Sequence, residues 1–204
     1  YFKKNDFYKS YYLNKTKEIP LVDAKIAISK DNFTINKKNK WITNRRSRDV
    51  AHLLRSKYDS IISTSKSINK DNSLLNCRIN GLDNNKPDLI IIDRNLKLKT
   101  KLKLFDISKK RKTYIFTTKN NKKKLKYLKN KRLRISIITK LENKKDFQLF
   151  FKKIFSLGKR RILVETGLTF LNQLLRLNLV NNLFVFKSDK NIKKNGANNN
   201  NLRL

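Results

Sequence analysis

The run Asp88-Leu-Ile-Ile-Ile-Asp93 constrains the fold of this chain more than any other segment. A continuous apolar stretch bracketed by acids offers no polar face to water, so it reads as a strand buried on both sides. Leu21–Ile28, Asp59–Thr64, Thr113–Thr118, Leu133–Thr139, Arg161–Glu165 and Val180–Lys187 read as further strands. Between them the apolar period changes to that of helices. One is expected from about Asn44 to Lys57, with Thr43 as its N-cap, Val50, Leu53 and Leu54 as its apolar stripe, and Arg48, His52 and Arg55 as a polar stripe opposite. Lys144–Leu157 carries Phe147, Phe150, Phe151, Ile154 and Phe155 at helical spacing and stops at Gly158; Leu168–Leu177 is a third helix. Lys119–Arg132 is heavily basic and reads as a solvated helix or loop, with a polyanion patch as the alternative. Strands alternating with helices predict an α/β fold with a mostly parallel central sheet and helices on both faces.

The length of 204 residues fits one such domain. Residues 1–19 are aromatic and basic without a clean period and read as a linker entering it; from Asp189 the chain is Lys/Asn-rich, including Asn198–Asn201, and reads as a disordered or truncated tail. Lys and Arg total 51 against 15 Asp and Glu, a formal charge of +36, which brings a nucleic-acid partner to mind. Lys, Asn and Ile are enriched together while Gly is 4 and Pro 2, so a genome biased toward A/T-rich codons explains much of that excess. One cysteine, Cys77, and one histidine exclude an internal disulfide and a His/Cys zinc site, so no metal is expected. No apolar run reaches the ~18 residues of a membrane span, and Tyr1-Phe2-Lys3-Lys4 is no signal peptide, so no membrane partner and a cytoplasmic setting are expected. Methionine is absent even at position 1, which predicts a piece of a longer reading frame or a processed product.

Gly81, Gly158, Gly167 and Gly196 cannot build a dinucleotide fingerprint or a P-loop. The strand-turn-helix unit Val164-Glu-Thr-Gly-Leu-Thr-Phe170 remains, where free N–H groups and the positive helix end suit a phosphate or pyrophosphate; an ordinary βα turn is the plainer reading. Glu165 stands where open α/β sheets place ligand-contacting groups, or is a turn carboxylate. Lys25, inside an apolar strand, either snorkels to an edge or faces a polar cleft. The loop Lys70–Arg78 joins a carboxylate and a guanidinium that suit a phosphorylated substrate, or is a simple turn.

The order Lys25-Ile-Ala-Ile-Ser29, Trp41-Ile-Thr43, Arg48-Asp49-Val50 to Leu54-Arg55, Asp71 to Arg78, Ile90-Ile-Ile-Asp93 and Val164-Glu-Thr-Gly167 resembles the reductase domain of the bifunctional riboflavin-biosynthesis deaminase/reductase. The resemblance runs from about Leu21 to Phe186 and implies a dihydrofolate-reductase-like fold over residues 20–188, between the linker and the tail. It implies NADPH-dependent reduction of 5-amino-6-(5-phosphoribosylamino)uracil to the phosphoribitylamino compound, by hydride transfer to the ribose C1′. It further implies a homodimer, and a deaminase domain preceding the linker in the intact chain. The deaminase signature itself, H-x-E with a later P-C-x-x-C, is absent here.

By motif position, Asn39, Arg55, Leu75, Arg78 and Glu165 would contact substrate, with Arg55 and Arg78 as phosphate clamps. Ala27, Trp41, Ser67, Asp71, Arg94 and the turn from Gly167, Leu168, Thr169 and Phe170 to Gln173 would face NADPH, and Lys25 would lie near the reacting centre as an electrostatic or proton-transfer group. The chain departs from the family at several places. Ser29-Lys-Asp-Asn32 replaces a Ser-Leu-Asp-Gly turn, with Asn tolerating the left-handed conformation. Asn39 stands for a serine, Asp71-Asn72-Ser73 for Asp-Asp-Pro, and Leu168 for a proline. The sequence also stops at Leu204, where the family's sheet continues, so closing strands are expected to be missing. Two other readings stay open: a basic nucleic-acid-binding domain, and a reductase of the same fold acting on another pterin or pyrimidine.

Overall fold

The computed structural model describes residues 4–82, 87–108 and 110–202. Helix α1 (Lys4–Lys17) leads into strand β1 (Leu21–Ile28) and a short β2 (Ile35–Asn36). There follow α2 (Arg45–Ser56), β3 (Ser60–Thr64), α3 (Ser65–Asp71), β4 (Asp88–Ile92), β5 (Thr113–Thr117), α4 (Lys122–Asn130) and β6 (Arg134–Ile137). Then come α5 (Lys144–Ser156), β7 (Arg161–Val164), α6 (Leu168–Arg176), β8 (Asn182–Lys187) and β9 (Gly196–Ala197).

The central sheet has the order β6-β5-β4-β3-β7-β1-β8, and every pairing in it is parallel. Leu89, Ile90 and Ile91 are fully buried, as a strand covered on both sides requires. Alternate side chains serve different layers. Ile62, Ile90, Ile92, Phe116 and Val164 pack with the aromatic stripe of α5 and with Leu168, Leu171 and Leu174 of α6. Ile61, Leu89, Ile91, Ile115 and Leu163 pack with Ile68 of α3, Leu128 of α4 and Leu54 of α2. The expected α/β architecture with helices on both faces is therefore what forms. Strand direction in sequence reverses around the central β3-β7-β1 group, the kind of switch point where a crevice opens beyond the carboxyl ends of the strands.

Several local expectations are corrected. The cap of α2 is Asn44, whose side chain accepts the Ser47 N–H, so Thr43 lies outside the helix. Its expected apolar stripe is largely on the wrong side: Val50 and Leu53 are 48% and 42% exposed, whereas Ala51 and His52 are buried. Polar side chains of α2 turn inward because Arg55 and His52 find partners there. Over residues 4–17 the expected linker is helical. Residues 119–132 resolve into α4, capped by Asn121 and anchored by Leu125 and Leu128 with most of its lysines outward.

The tail, expected to be disordered or truncated, is ordered over residues 189–202. β9 pairs antiparallel with β2, Asn198 Oδ1 accepts from the Thr34 N–H and hydroxyl at 2.8 and 2.9 Å, and the Asn201 carbonyl accepts from Asn172 at 2.7 Å. Asp31 holds its approach by accepting the N–H groups of Ile192 and Lys193. The substituted turn at Asn32 forms, with φ of 63° and its N–H on the Ser29 carbonyl.

Candidate active site

A cleft of about 1230 Å³ lies over the carboxyl ends of β1, β3 and β7. β1 contributes Lys25 and Ala27, α2 contributes His52 and Arg55, and the turn into α6 contributes Glu165 and Gly167. Leu75, Arg78, Trp41, Ser67, Asp71, Arg94, Leu168, Thr169 and Phe170 complete the expected set along its walls. Asn39 is the exception. It is exposed and lines a smaller adjoining cavity with Asn36 and Lys190, where its N–H is bonded to the Asn36 side chain.

The centre is a triad of Arg55, Glu165 and Lys25. Arg55 donates Nε to Glu165 Oε1 at 2.6 Å and Nη2 to Oε2 at 2.9 Å, while Lys25 Nζ lies 3.9 Å from Oε2. All three side chains are largely withdrawn from solvent. Glu165 is held at its backbone as well, its N–H on the Ile62 carbonyl and its C=O accepting the Ser63 hydroxyl. Burial alone would raise its carboxyl, but the charge and hydrogen bonds of Arg55, with Lys25, bring it down to about 2. Burial lowers the Lys25 ammonium, and Glu165 opposes that shift. Lys25 thus faces the cleft, 5.1 Å from the Phe186 ring centroid.

Arg55 and Arg78 were expected to act alike, but their surroundings differ. Two donors of Arg55 are taken by Glu165, and Nη1 points to the Asn76 carbonyl at 3.3 Å. Arg78 is exposed in the cleft wall, makes no ion pair among the described residues, and lies 3.1 Å from His52 Nε2. Its loop adopts left-handed conformations at Asn72 (φ 45°) and Leu75 (φ 50°), costly for a leucine, so an outside support is needed. Arg111 supplies it. Its buried guanidinium donates to the carbonyls of Leu74, Leu75 and Pro87, and burial lowers it to about 9.

At the other end of the cleft, the N-terminus of α6 has no side-chain cap, and the Gly167 N–H reaches Ser67 Oγ at 3.2 Å. The Arg94 carbonyl accepts from Thr118 N–H and from the hydroxyls of Thr117 and Thr118, fixing the turn beyond β4. Burial raises the Asp71 carboxyl, with Lys70 and Lys40 opposing. Trp41 is exposed with Arg48 4.8 Å and Lys40 5.2 Å from its ring, an aromatic face already favoured by cations. His52, Arg111 and Asn199 are the contributors that sequence reasoning missed as site residues. His52 stood in the polar stripe of α2, Arg111 is masked by lysines on both sides, and Asn199 reaches the cleft only because the tail folds back. No group of three or more His, Cys, Asp or Glu that could hold a metal occurs among the described residues.

Comparison with known proteins gives the chain a lineage. Residues 20–188 match the family model described as RibD C-terminal domain. The chain is 29% identical over 206 residues to the riboflavin biosynthesis protein RibD of Buchnera aphidicola, covering 89% of this chain and 51% of that protein. It is 28% identical over 186 residues to RibD of Aquifex aeolicus, covering 89% and 50%. It therefore spans about half the length of the curated relatives it matches. Among solved structures, Acinetobacter baumannii RibD superimposes with a TM-score of 0.79 at 16% identity, over 96% of this chain and 53% of that one. The riboflavin biosynthesis reductase Rib7 of Saccharomyces cerevisiae gives 0.71 at 21% identity, over 98% and 88%. These likenesses establish the dihydrofolate-reductase-like fold, and the family match over residues 20–188 gives the lineage: the chain belongs to the RibD C-terminal domain family.

Proposed function

We propose that this chain is the NADPH-dependent reductase of riboflavin biosynthesis, converting 5-amino-6-(5-phosphoribosylamino)uracil to 5-amino-6-(5-phosphoribitylamino)uracil. The observation that carries the reading is the pair of contrasting cations at one rim: Arg55 neutralised on Glu165, Arg78 with its charge uncancelled. A phosphorylated, nitrogen-rich substrate needs both a fixed carboxylate and a free guanidinium.

The residues present fit a nicotinamide dinucleotide beside that substrate. The cleft is larger than the few hundred Å³ of an ordinary small-ligand site, about 1230 Å³, and Lys66, Lys70, Arg94, Lys97 and the turn into the uncapped end of α6 line it. Bound NADPH supplies the hydride. Arg78 holds the sugar phosphate and fixes the distance of C1′ from the donor. Glu165, kept ionised and oriented by Arg55, accepts hydrogen bonds from the uracil or sugar N–H and O–H groups. Lys25 Nζ lies beside it with its ammonium lowered by burial, placed to hold the proton that must join the substrate with the hydride. Trp41, Ala27, Ser67, Asp71 and the Gly167–Gln173 turn form the cofactor wall. A homodimer, an N-terminal deaminase domain in the intact protein and a cytoplasmic setting belong to the same reading.

The test is to mix the protein with NADPH and the phosphoribosylaminouracil and follow the absorbance of the reduced cofactor. A substrate-dependent decrease is expected. Absence of turnover, together with tight RNA binding that weakens steeply with salt, would favour a nucleic-acid-binding domain instead.

A further inference from the structure

His52 is the only histidine in the chain, and it lies between two groups that dictate its chemical form. Nδ1 is 2.9 Å from the carbonyl oxygen of Asn76, which only accepts, so Nδ1 carries the proton. Nε2 is 3.1 Å from Nη2 of Arg78, which only donates, so Nε2 carries the lone pair. Arg55 Nη1, 3.4 Å from Nδ1 and 3.3 Å from the same carbonyl, is a second donor converging on Asn76. The ring is buried and neutral.

We propose that His52 is a positioning residue for anion recognition: its neutral imidazole holds the Arg78 guanidinium against the cleft wall as a hydrogen-bond acceptor that leaves the positive charge uncancelled. The inference rests on the reading of Arg78 as the phosphate site. A carboxylate in the same place would anchor the arginine more tightly but neutralise it, as Glu165 does to Arg55. An apolar residue would leave charge without orientation. Imidazole is the side chain that can accept at one nitrogen while its other nitrogen is tied to the backbone of the same loop, here two residues before Arg78.

The charges facing His52 reinforce its neutral form. Burial, then Arg55 on its own helix and Arg78 on the loop, lower its pKa, and the Asn76 carbonyl and Glu165 at the end of β7 only partly oppose them. Lys25 on β1 and Arg48 and Asp49 on α2 line the same cleft, and Cys77 stands between Asn76 and Arg78 in the loop. Protonation would convert the acceptor into a donor aimed at a cation, so phosphate affinity falls as pH drops through the lowered His52 value.

A single histidine makes the test direct. Nitrogen and proton NMR of the ring across pH reads both its tautomer and its pKa. Expected are a protonated Nδ1, an unprotonated Nε2, titration below the ordinary ~6.5, and an upward move in Arg78→Ala. Steady-state kinetics supply the functional arm. His52→Leu is expected to raise KM for the phosphorylated substrate about tenfold with kcat nearly kept. His52→Gln, whose side-chain carbonyl can replace Nε2 as acceptor, recovers most of that loss. In an Arg78→Ala background, His52→Leu adds less than about twofold. An Nε2–H tautomer, a titration unmoved by Arg78→Ala, or an undiminished His52→Leu effect in the double variant would overturn the proposal. If instead no variant and no wild-type protein turns over substrate while the NMR coupling is seen, the substrate reading fails and the His52–Arg78 relationship stands.

Discussion

Arg55 and Glu165, 110 residues apart in sequence, meet edge to edge with two hydrogen bonds of 2.6 and 2.9 Å. One residue is on α2 and the other just beyond the carboxyl end of β7, so the pair ties the helix layer to the switch point of the sheet. It fixes the position of a carboxylate that would be too costly to leave ionised and unpaired at that depth.

Glu165→Gln therefore acts on both stability and activity. Arg55 and Lys25 would be left facing each other with no intervening charge. An unfolding-free-energy loss of about 3 kcal/mol is expected in urea titrations, with kcat/KM reduced on the order of a hundredfold or more. The pH sign follows from the depressed carboxyl. Its contribution is fully present above the unfolded value of 4.5 and is lost as pH falls toward the folded value of about 2. Wild type should lose stability relative to Glu165→Gln across that window, and parallel acid-denaturation curves would contradict the assignment.

Arg78→Ala isolates the proposed anion site. KM for the phosphorylated aminouracil is expected to rise about tenfold or more, through loss of a charge-assisted pair. A dephosphorylated analogue should be nearly indifferent. An equal loss on both substrates would show that Arg78 supports the fold of the loop and not the phosphate.

The extent to which these features were legible in the sequence follows the range of the forces involved. Strand periodicity gave β1, β3, β4, β5 and β7 within a residue or so, because burial on one or both faces is written in consecutive residues. The motif order placed Lys25, Arg55, Arg78 and Glu165 at one cleft. Amphipathicity misled on α2, since a helix beside a polar site can bury Arg and His and leave Val50 and Leu53 in water. The tail was unreadable for another reason. Its order comes from asparagine side chains bonded to segments more than 160 residues away, and such long-range polar contacts have no local signature. Arg111 shows the same limit, a buried cation in a run of lysines whose composition speaks only of solvent.

Arg111→Met tests the support beneath the loop of residues 72–78. The thioether fills the volume but leaves the carbonyls of Leu74, Leu75 and Pro87 without their donor. A destabilisation of roughly 2–3 kcal/mol is expected, with faster amide exchange across residues 72–78 than in β4. Arg111→Lys should recover little, because an ammonium lacks the planar fork that reaches three carbonyls. Full rescue by lysine would mean that charge alone matters there.

Gly196→Ala probes the returning tail. A Cβ at this position would fall far inside contact distance of the Phe33 ring, and the Phe33 backbone is held by Ser29, whose N–H donates to the Phe33 carbonyl and whose hydroxyl accepts the Phe33 N–H. The two-residue pairing of β9 with β2 is too short to absorb that displacement. The substitution is expected to release residues 196–202 while sparing the sheet, since that segment meets the main core only through the half-buried Leu202. Limited proteolysis should cut the variant near Asn198–Asn201 under conditions where wild type resists, with the global unfolding midpoint nearly unchanged. Asn199 would leave the cleft beside Gly167, so KM for the dinucleotide should rise severalfold while KM for the phosphorylated substrate, proposed to bind at the Arg78 end, stays constant. A variant as protease-resistant as wild type would show that the ring yields and that the close approach at Gly196 is not what docks the tail.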